Sequence, residues 1–198
     1  MIKRSVATLI IGAVSSTGAL GLDFTPYRVF TAEEGPPVPR YYFQDHDKRL
    51  SFRIDNKMTV VGSSSGVTFG FQDLNSGSMR LSKSPLSPER PFGDKTGETY
   101  RTTARSLLPS QATEVQLQNE TAGAIAINGW TSQQYKFLYT LEGVPYSRSI
   151  TFINFSPQEQ IVFDVAAPAA DFAKIYARSY HVLNSVTEMA AFARDGHS

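Results

Sequence analysis

Apolar and polar residues alternate along most of the chain, which is the pattern of strands in a sheet with one buried face. The clearest runs are "LSFRI" at 50–54, "VTFGFQD" at 67–73, "QYKFLYTL" at 134–141 and "QIVFDVA" at 160–166. Short turn signals such as Asn75-Ser76-Gly77 and Glu142-Gly143 separate such runs. Strands joined by short turns are antiparallel neighbours, so the pattern predicts one antiparallel sheet of about six to eight strands.

Two segments have helical spacing instead. In "ETYRTTARSLL" at 98–108, the apolar residues recur every three or four positions until Pro109 ends the run. A longer stripe runs from Phe172 to Met189 within "PAADFAKIYARSYHVLNSVTEMAAF", after Pro168 at a first helical turn. The predicted fold class is therefore α+β, a single antiparallel β-sheet packed against helices.

The first 21 residues differ from the rest. Lys3 and Arg4 precede an apolar run from Val6 to Val14, and small residues follow. This is the composition of a secretory signal peptide, with cleavage expected before Leu22. A retained membrane anchor is the alternative, although the apolar run is short for a span of about 30 Å. We therefore expect a periplasmic or secreted protein.

The remaining chain divides by composition. Residues 22–40 contain "EEGPPVPR" and are predicted to form a Pro-rich N-terminal arm, because proline favours an extended path. Residues 41–190 are predicted to form one α+β domain, since about 100–200 residues is the usual size of a domain. Residues 191–198 are expected to be a C-terminal tail.

Charge and cysteine content exclude several functions. The formal net charge of the 198-residue chain is +1, so no basic excess favours nucleic acid as a partner. The chain has no cysteine, which rules out thiolate catalysis, zinc–thiolate sites and disulfides. Export without disulfides fits a bacterial periplasm or a similar compartment.

Asp45-His46-Asp47 is the clearest candidate for metal or catalytic chemistry. Histidine nitrogen and carboxylate oxygens are common metal ligands. Neighbours in a strand point to opposite faces, however, and the sequence offers no further ligands nearby. A solvated turn is the favoured interpretation, and a hydrolase or metal enzyme centred on His46 is the weaker alternative. No catalytic residue and no cofactor are predicted.

Aromatic residues are the more informative candidates, at 12% of the chain. Arg40, Tyr41, Tyr42 and Phe43 form a run that could be an exposed adhesive patch. Trp130 follows a glycine near a strand end, where it either marks a binding surface or packs at the rim of the core. These five residues are the predicted binding residues.

The second half of the chain resembles the PsbP-like superfamily over roughly residues 98–187. The similarity lies in the order of helix, antiparallel strands and an aromatic terminal helix. The residues that carry it are Val162–Val165, Pro168, Phe172, Tyr180 and Leu183-Asn184-Ser185-Val186. The resemblance implies an antiparallel sheet covered by helices and a non-enzymatic role in binding or stabilising a partner protein. It provides no catalytic residues, and the lipid-attachment cysteine of the family's lipoproteins is missing.

Together these observations predict an exported, non-enzymatic binding or assembly module. We expect it to dock on a periplasmic or membrane-associated protein, with peripheral contact to the membrane left open. The Pro-rich loop 83–97, the run 40–43 and the rim around Trp130 are expected to carry the contacts. The alternative is a binder of a small apolar ligand held between the sheet and a helix.

Overall fold

The computed structural model describes residues 22–30, 39–45, 48–74, 76–86, 92, 94–157 and 159–189. The predicted signal peptide, the tail and most of the Pro-rich segments lie outside these ranges. No helix in the described ranges is long and apolar enough to cross a membrane.

The described chain contains eleven strands and two helices. The first six strands are β1 (Asp23–Phe30), β2 (Pro39–Asp45), β3 (Lys48–Arg53), β4 (Met58–Ser63), β5 (Gly66–Phe71) and β6 (Ser78–Lys83). The remaining elements are α1 (Asp94–Ser106), β7 (Thr113–Ala122), β8 (Thr131–Leu141), β9 (Val144–Asn154), β10 (Gln160–Pro168), α2 (Phe172–Asn184) and β11 (Thr187–Met189).

These strands form two antiparallel sheets, which corrects the prediction of a single sheet. A small sheet has the order β1-β2-β3-β11, and a large sheet has the order β4-β5-β6-β10-β9-β8-β7. The chain passes from one sheet to the other between Arg53 and Met58. Alternation marks each strand as half buried but does not identify its neighbour, so the change of sheet leaves no sign in the pattern. The α+β class itself is confirmed.

The main core lies between the two sheets and beneath α2. Phe43 and Phe52 of the small sheet stack at 4.4 Å, and Phe52 meets Phe69 of the large sheet edge to face at 5.6 Å. Ile175 and Leu183 of α2 join the same buried cluster. The small sheet and α2 therefore cover one face of the large sheet together.

A second cluster lies on the opposite face of the large sheet, beneath α1. Tyr100 and Ala104 of α1 are buried against Tyr135, Phe137 and other aromatic residues of β8 and β9. The Tyr100 ring meets Phe152 edge to face at 4.9 Å. The predicted stripe of the first helix is thus the stripe that the structure buries.

The predicted N-terminal arm is in part a strand. Residues 23–30 form β1, and Leu22 and Phe24 are 2% and 1% exposed in the main core. Leu22 and Phe24 are buried and Asp23 and Thr25 only partly so. Leu22 and Phe24 are therefore part of the packed core. The strand accommodates Pro26 because β1 is an edge strand. Residues 31–38, which contain Pro36 and Pro37, lie outside the described residues, and Pro39 begins β2.

The last helix is shorter than predicted. It ends at Asn184, and Thr187–Met189 form β11 against β3. The Ser185 hydroxyl donates to the Val182 carbonyl at 2.7 Å and accepts from the Arg53 amide at 2.9 Å. Ser185 thus ends the helix and fastens its end to the small sheet, which is a tertiary contact that the helical stripe does not indicate.

Candidate functional site

Strand alternation divides the predicted aromatic patch between two faces of β2. Phe43 is 2% exposed and packs in the main core, and Tyr41 stacks inward on Phe52 with ring centres 5.7 Å apart. Tyr42 points to the outer face, where it stacks on Tyr27 of β1 at 5.2 Å. Of the three aromatic residues, Tyr42 is therefore the one placed to contact a partner.

Arginines extend this outer face. The Arg49 guanidinium lies over the Tyr42 ring, 4.9 Å from its centre, and Tyr27 is 45% exposed. The register of β2 and β3 places Arg40 directly opposite Arg53, two positions along from Tyr42. We call the surface formed by Tyr27, Arg40, Tyr42, Arg49 and Arg53 the arginine–tyrosine face. It combines stacked rings with three arginines.

Trp130 is held by a tight turn at the start of β8. Asn128 and Gly129 both have positive φ, at 52° and 73°, and the Trp130 amide donates to the Ile127 carbonyl at 2.8 Å. A type I′ turn requires positive φ at both central residues, and Asn-Gly is the pair that adopts this conformation most readily. The Trp130 ring then lies half-buried at the rim, 5.2 Å from the Phe155 ring.

Trp130 and Phe155 line an open cleft of about 550 Å³ at one end of the two sheets. Asp45 at the end of β2 and Glu188 of β11 line it from the small sheet, and Asn128 and Ser156 line it from the large one. We call this the aromatic cleft. It brings together two predicted residues, Trp130 and Asp45, that are far apart in the sequence.

The metal hypothesis at Asp45-His46-Asp47 stays a prediction, because His46 and Asp47 lie outside the described residues. Within the described ranges, no group of three or more acidic or histidine side chains is placed to hold a metal ion. Asp45 contributes instead to the aromatic cleft.

The face of the large sheet beneath α1 is filled by the protein's own side chains. Tyr135, Phe137 and Tyr139 are at most 2% exposed and pack beneath α1. The Tyr135 hydroxyl donates to the Gly97 carbonyl of α1 at 3.2 Å, which fixes the helix on this face. A ligand between this sheet face and α1 would have to displace these contacts.

Three residues of the arginine–tyrosine face were not singled out from the sequence, namely Tyr27, Arg49 and Arg53. Tyr27 lies in the segment predicted as an arm, and the sequence analysis gives the two arginines no role in binding. Alternation about Phe52 places Arg53 on the outer side of β3, so part of this face could have been derived from the sequence.

Comparisons with known proteins identify no family. No protein-family model matches the sequence, and no curated protein matches it. Solved structures of similar fold include a protein of unknown function from Pseudomonas aeruginosa, with a TM-score of 0.45 and 13% identity, covering 75% of this chain and 96% of that one. Another is LpqN of Mycobacterium tuberculosis, described as involved in cell envelope biogenesis. It has a TM-score of 0.46 and 9% identity, and the match covers 83% of this chain and 91% of that one.

A third is the cyanobacterial PsbP of Synechocystis, with a TM-score of 0.43 and 13% identity, covering 89% of this chain and 98% of that one. The chain thus has a weak PsbP-like fold resemblance, as the sequence predicted. Because all three TM-scores are below 0.5, the functional proposals below rest on this chain's own residues.

Proposed function

We propose that the protein is an exported, non-enzymatic binding module that docks through its arginine–tyrosine face on an acidic surface of another envelope protein. Export is supported by the basic residues and apolar run of the first 21 residues. Docking is supported by one observation above all, the stack of Tyr27, Tyr42 and Arg49 on the outer face of the small sheet.

Tyrosine and arginine are the residue types that protein interfaces favour. They offer a large contact area and several hydrogen-bond donors at modest entropic cost, and they are enriched among interface hot spots. Here the stacking of Tyr27 on Tyr42 and of Arg49 on Tyr42 holds these side chains before a partner arrives. Such preorganisation lowers the entropy lost on binding.

The charge of the face indicates the chemistry of the partner. Arg40 and Arg53 are direct cross-strand neighbours on this face. Carboxylates on a partner are attracted to arginine side chains, which would steer the encounter. An anionic lipid surface offers the same sign of charge, but the half-buried Tyr42 ring suits a shaped protein surface better than a fluid one.

The test is capture of a partner from the envelope of the source organism. The bait is the tagged full reading frame, and its variant carries Tyr42→Ser and Arg53→Glu. Loss of an aromatic contact and reversal of a charge should reduce recovery of a specific partner by about tenfold or more. Recovery should also fall as salt is raised, because charge attraction is screened.

A matched control keeps the types of change but moves them away from the face. Val61→Ser and Arg105→Glu alter an exposed apolar residue of β4 and an exposed arginine of α1. This control should recover the partner as the unaltered chain does. Equal recovery by both variants, or equal binding of the unaltered chain to protein-free anionic vesicles, would refute the proposal.

A further inference from the structure

The backbone nitrogen of Leu22 contacts an acidic side chain from the distant β9–β10 turn. The Leu22 amide donates to Oε1 of Glu159 at 3.1 Å, across 137 positions of the sequence. Leu22 is also the residue before which cleavage is expected, because the small residues Ala19 and Gly21 precede it. We propose that Glu159 is the binding site for the α-ammonium group that cleavage creates on Leu22, and that this ion pair fastens the new N-terminus to the fold.

Cleavage changes the chemistry of this nitrogen. Hydrolysis of the Gly21–Leu22 peptide bond consumes one water, and the C–N bond breaks. The carboxylic acid that forms on Gly21 gives its proton to the new amine on Leu22, because a free α-amino group is mostly protonated at neutral pH. One neutral N–H donor thus becomes a cation with three donors beside a carboxylate. Attraction between opposite charges is then added to the hydrogen bond.

The β9–β10 turn holds Glu159 in position for this contact. The Glu159 amide donates to the Ser156 hydroxyl at 3.0 Å, and its carbonyl accepts from the amides of Phe155 and Ser156 at 3.1 Å. Within the described part of the chain, no lysine, arginine or histidine forms an ion pair with the Glu159 carboxylate. Among the described groups, the Leu22 nitrogen is therefore the natural counter-ion once it is charged.

The Leu22 end of the contact is held by the core. The Leu22 side chain packs in the main core together with Phe24, whose ring meets Phe43 edge to face at 5.4 Å. A Cβ atom placed on Gly62 of β4 would lie only 2.5 Å from the Phe24 carbonyl oxygen, so the start of β1 lies close against the large sheet. These contacts lie after the expected cleavage site, so they keep the new ammonium group beside Glu159.

The full reading frame provides both forms of the chain for a test. Export in a bacterial host yields the processed protein, and cell-free translation without membranes yields the precursor, in which the Leu22 nitrogen stays an amide. Intact mass should show that the processed chain begins at Leu22. Glu159→Gln keeps the size of the side chain and removes its charge. It should raise the unfolding equilibrium constant, measured by pulse proteolysis in urea, about tenfold in the processed chain and about twofold or less in the precursor.

The reactivity of the Leu22 amine measures the ion pair independently of stability. A carboxylate partner favours the protonated form of an amine, which does not react with an acetylating reagent. The α-amine of the processed protein should therefore be acetylated about fivefold more slowly than that of the processed Glu159→Gln chain, as followed by peptide mass. Glu142→Gln makes the same change at an exposed position in the β8–β9 turn and should alter neither measurement.

The outcomes separate this inference from the proposed export on which it rests. A precursor that the host does not process would contradict both, and cleavage at another residue would contradict the ion pair. A processed chain may instead begin at Leu22 as expected. If Glu159→Gln then has the same effect on precursor and processed chain, or leaves the rate of acetylation unchanged, the ion pair alone is overturned and the docking function still stands.

Discussion

At the scale of single residues, the position of a side chain within the alternation of β2 decides its role. Tyr41 and Phe43 stabilise the core, whereas Tyr42 between them reaches the outer face. The sequence predicted that this run matters, and the period of two could have separated its members. It could not have revealed that Tyr27 stacks on Tyr42, because that contact depends on which strand lies beside β2.

Arg148 and Asp164 form a largely buried ion pair that the sequence did not indicate. Two parallel hydrogen bonds of 2.8 and 2.5 Å join them across β9 and β10, and their side chains are 15% and 13% exposed. Burial alone would lower the pKa of Arg148, but the hydrogen bond and charge of Asp164 outweigh it and raise the pKa. Two charge-assisted hydrogen bonds therefore hold this buried pair together.

Breaking this pair should be costly. Asp164→Ala leaves the Arg148 guanidinium buried without its carboxylate, and we expect the free energy of unfolding to fall by about 3 kcal/mol. The double variant Arg148→Met, Asp164→Leu should lose less, because no charge stays buried. Urea denaturation of the two variants measures this. A double variant that is less stable than Asp164→Ala would contradict the interpretation.

At the scale of elements, one close approach fixes α2 against the large sheet. A Cβ atom placed on Gly77, just before β6, would lie 2.0 Å from Cδ1 of Ile175, which is fully buried in α2. The neighbouring helix, not a left-handed backbone, disfavours a side chain at this position. The sequence predicted a turn at Asn75-Ser76-Gly77 but could not predict this contact.

Gly77→Ala should therefore reduce the free energy of unfolding by about 1–3 kcal/mol through overpacking. Ile175→Val removes the Cδ1 atom, so the two substitutions combined in one chain should cost less than the sum of the two single changes. Thermal denaturation of the four chains in this cycle measures the coupling. Purely additive losses would show that the contact with Ile175 is not the cause.

Gly97 provides the matched control for a glycine in an open environment. It lies in α1, and a Cβ placed on it would come no nearer than 3.9 Å, to a Glu120 side-chain oxygen. Gly97→Ala should stabilise the protein by about 0.5–1 kcal/mol, because alanine loses less backbone entropy in a helix. A loss of stability would show that the α1 backbone depends on this glycine.

Elements with strong periodicity were predicted well, and those defined by tertiary contacts were not. The stripes of α1 and α2 and the alternation of β8 match the buried positions, whereas β10 is buried on both faces from Gln160 to Phe163. The segment "AIAINGW" at 124–130 alternates as a strand does, but Ile125 and Ile127 are buried in a loop. There the Ser132 hydroxyl bonds both the amide and the carbonyl of Ile125, as a neighbouring strand would. β11 has three residues and exists only because β3 lies beside it.

At the scale of the whole molecule, buried tyrosines make the stability of the fold depend on pH in the alkaline range. Burial raises the pKa of Tyr135, Tyr139 and Tyr176, and nearby Glu120 raises that of Tyr135 further. A tyrosine whose pKa is higher in the folded than in the unfolded chain makes its full contribution to stability below the unfolded-state pKa of about 10. That contribution is lost as the pH rises above this value.

We therefore expect the free energy of unfolding to fall above about pH 10, by up to about 1.4 kcal/mol per pH unit for each of these tyrosines. In the variant Tyr135→Phe, the free energy of unfolding should fall less steeply with pH, because one titrating group is removed. Urea denaturation between neutral pH and pH 11 measures both slopes. Equal slopes in the two chains would mean that Tyr135 does not contribute to the alkaline loss.

The central claim, that the arginine–tyrosine face contacts a protein partner, is tested most directly by site-specific photo-crosslinking in intact cells of the source organism. A photoreactive phenylalanine replaces Tyr27 in one chain and Val61, which is 73% exposed on the large sheet, in another. We predict a crosslinked product of defined mass from position 27, absent from position 61 and lost when Arg53→Glu is added. Crosslinks that are equal at both positions, or absent at position 27, would contradict the account.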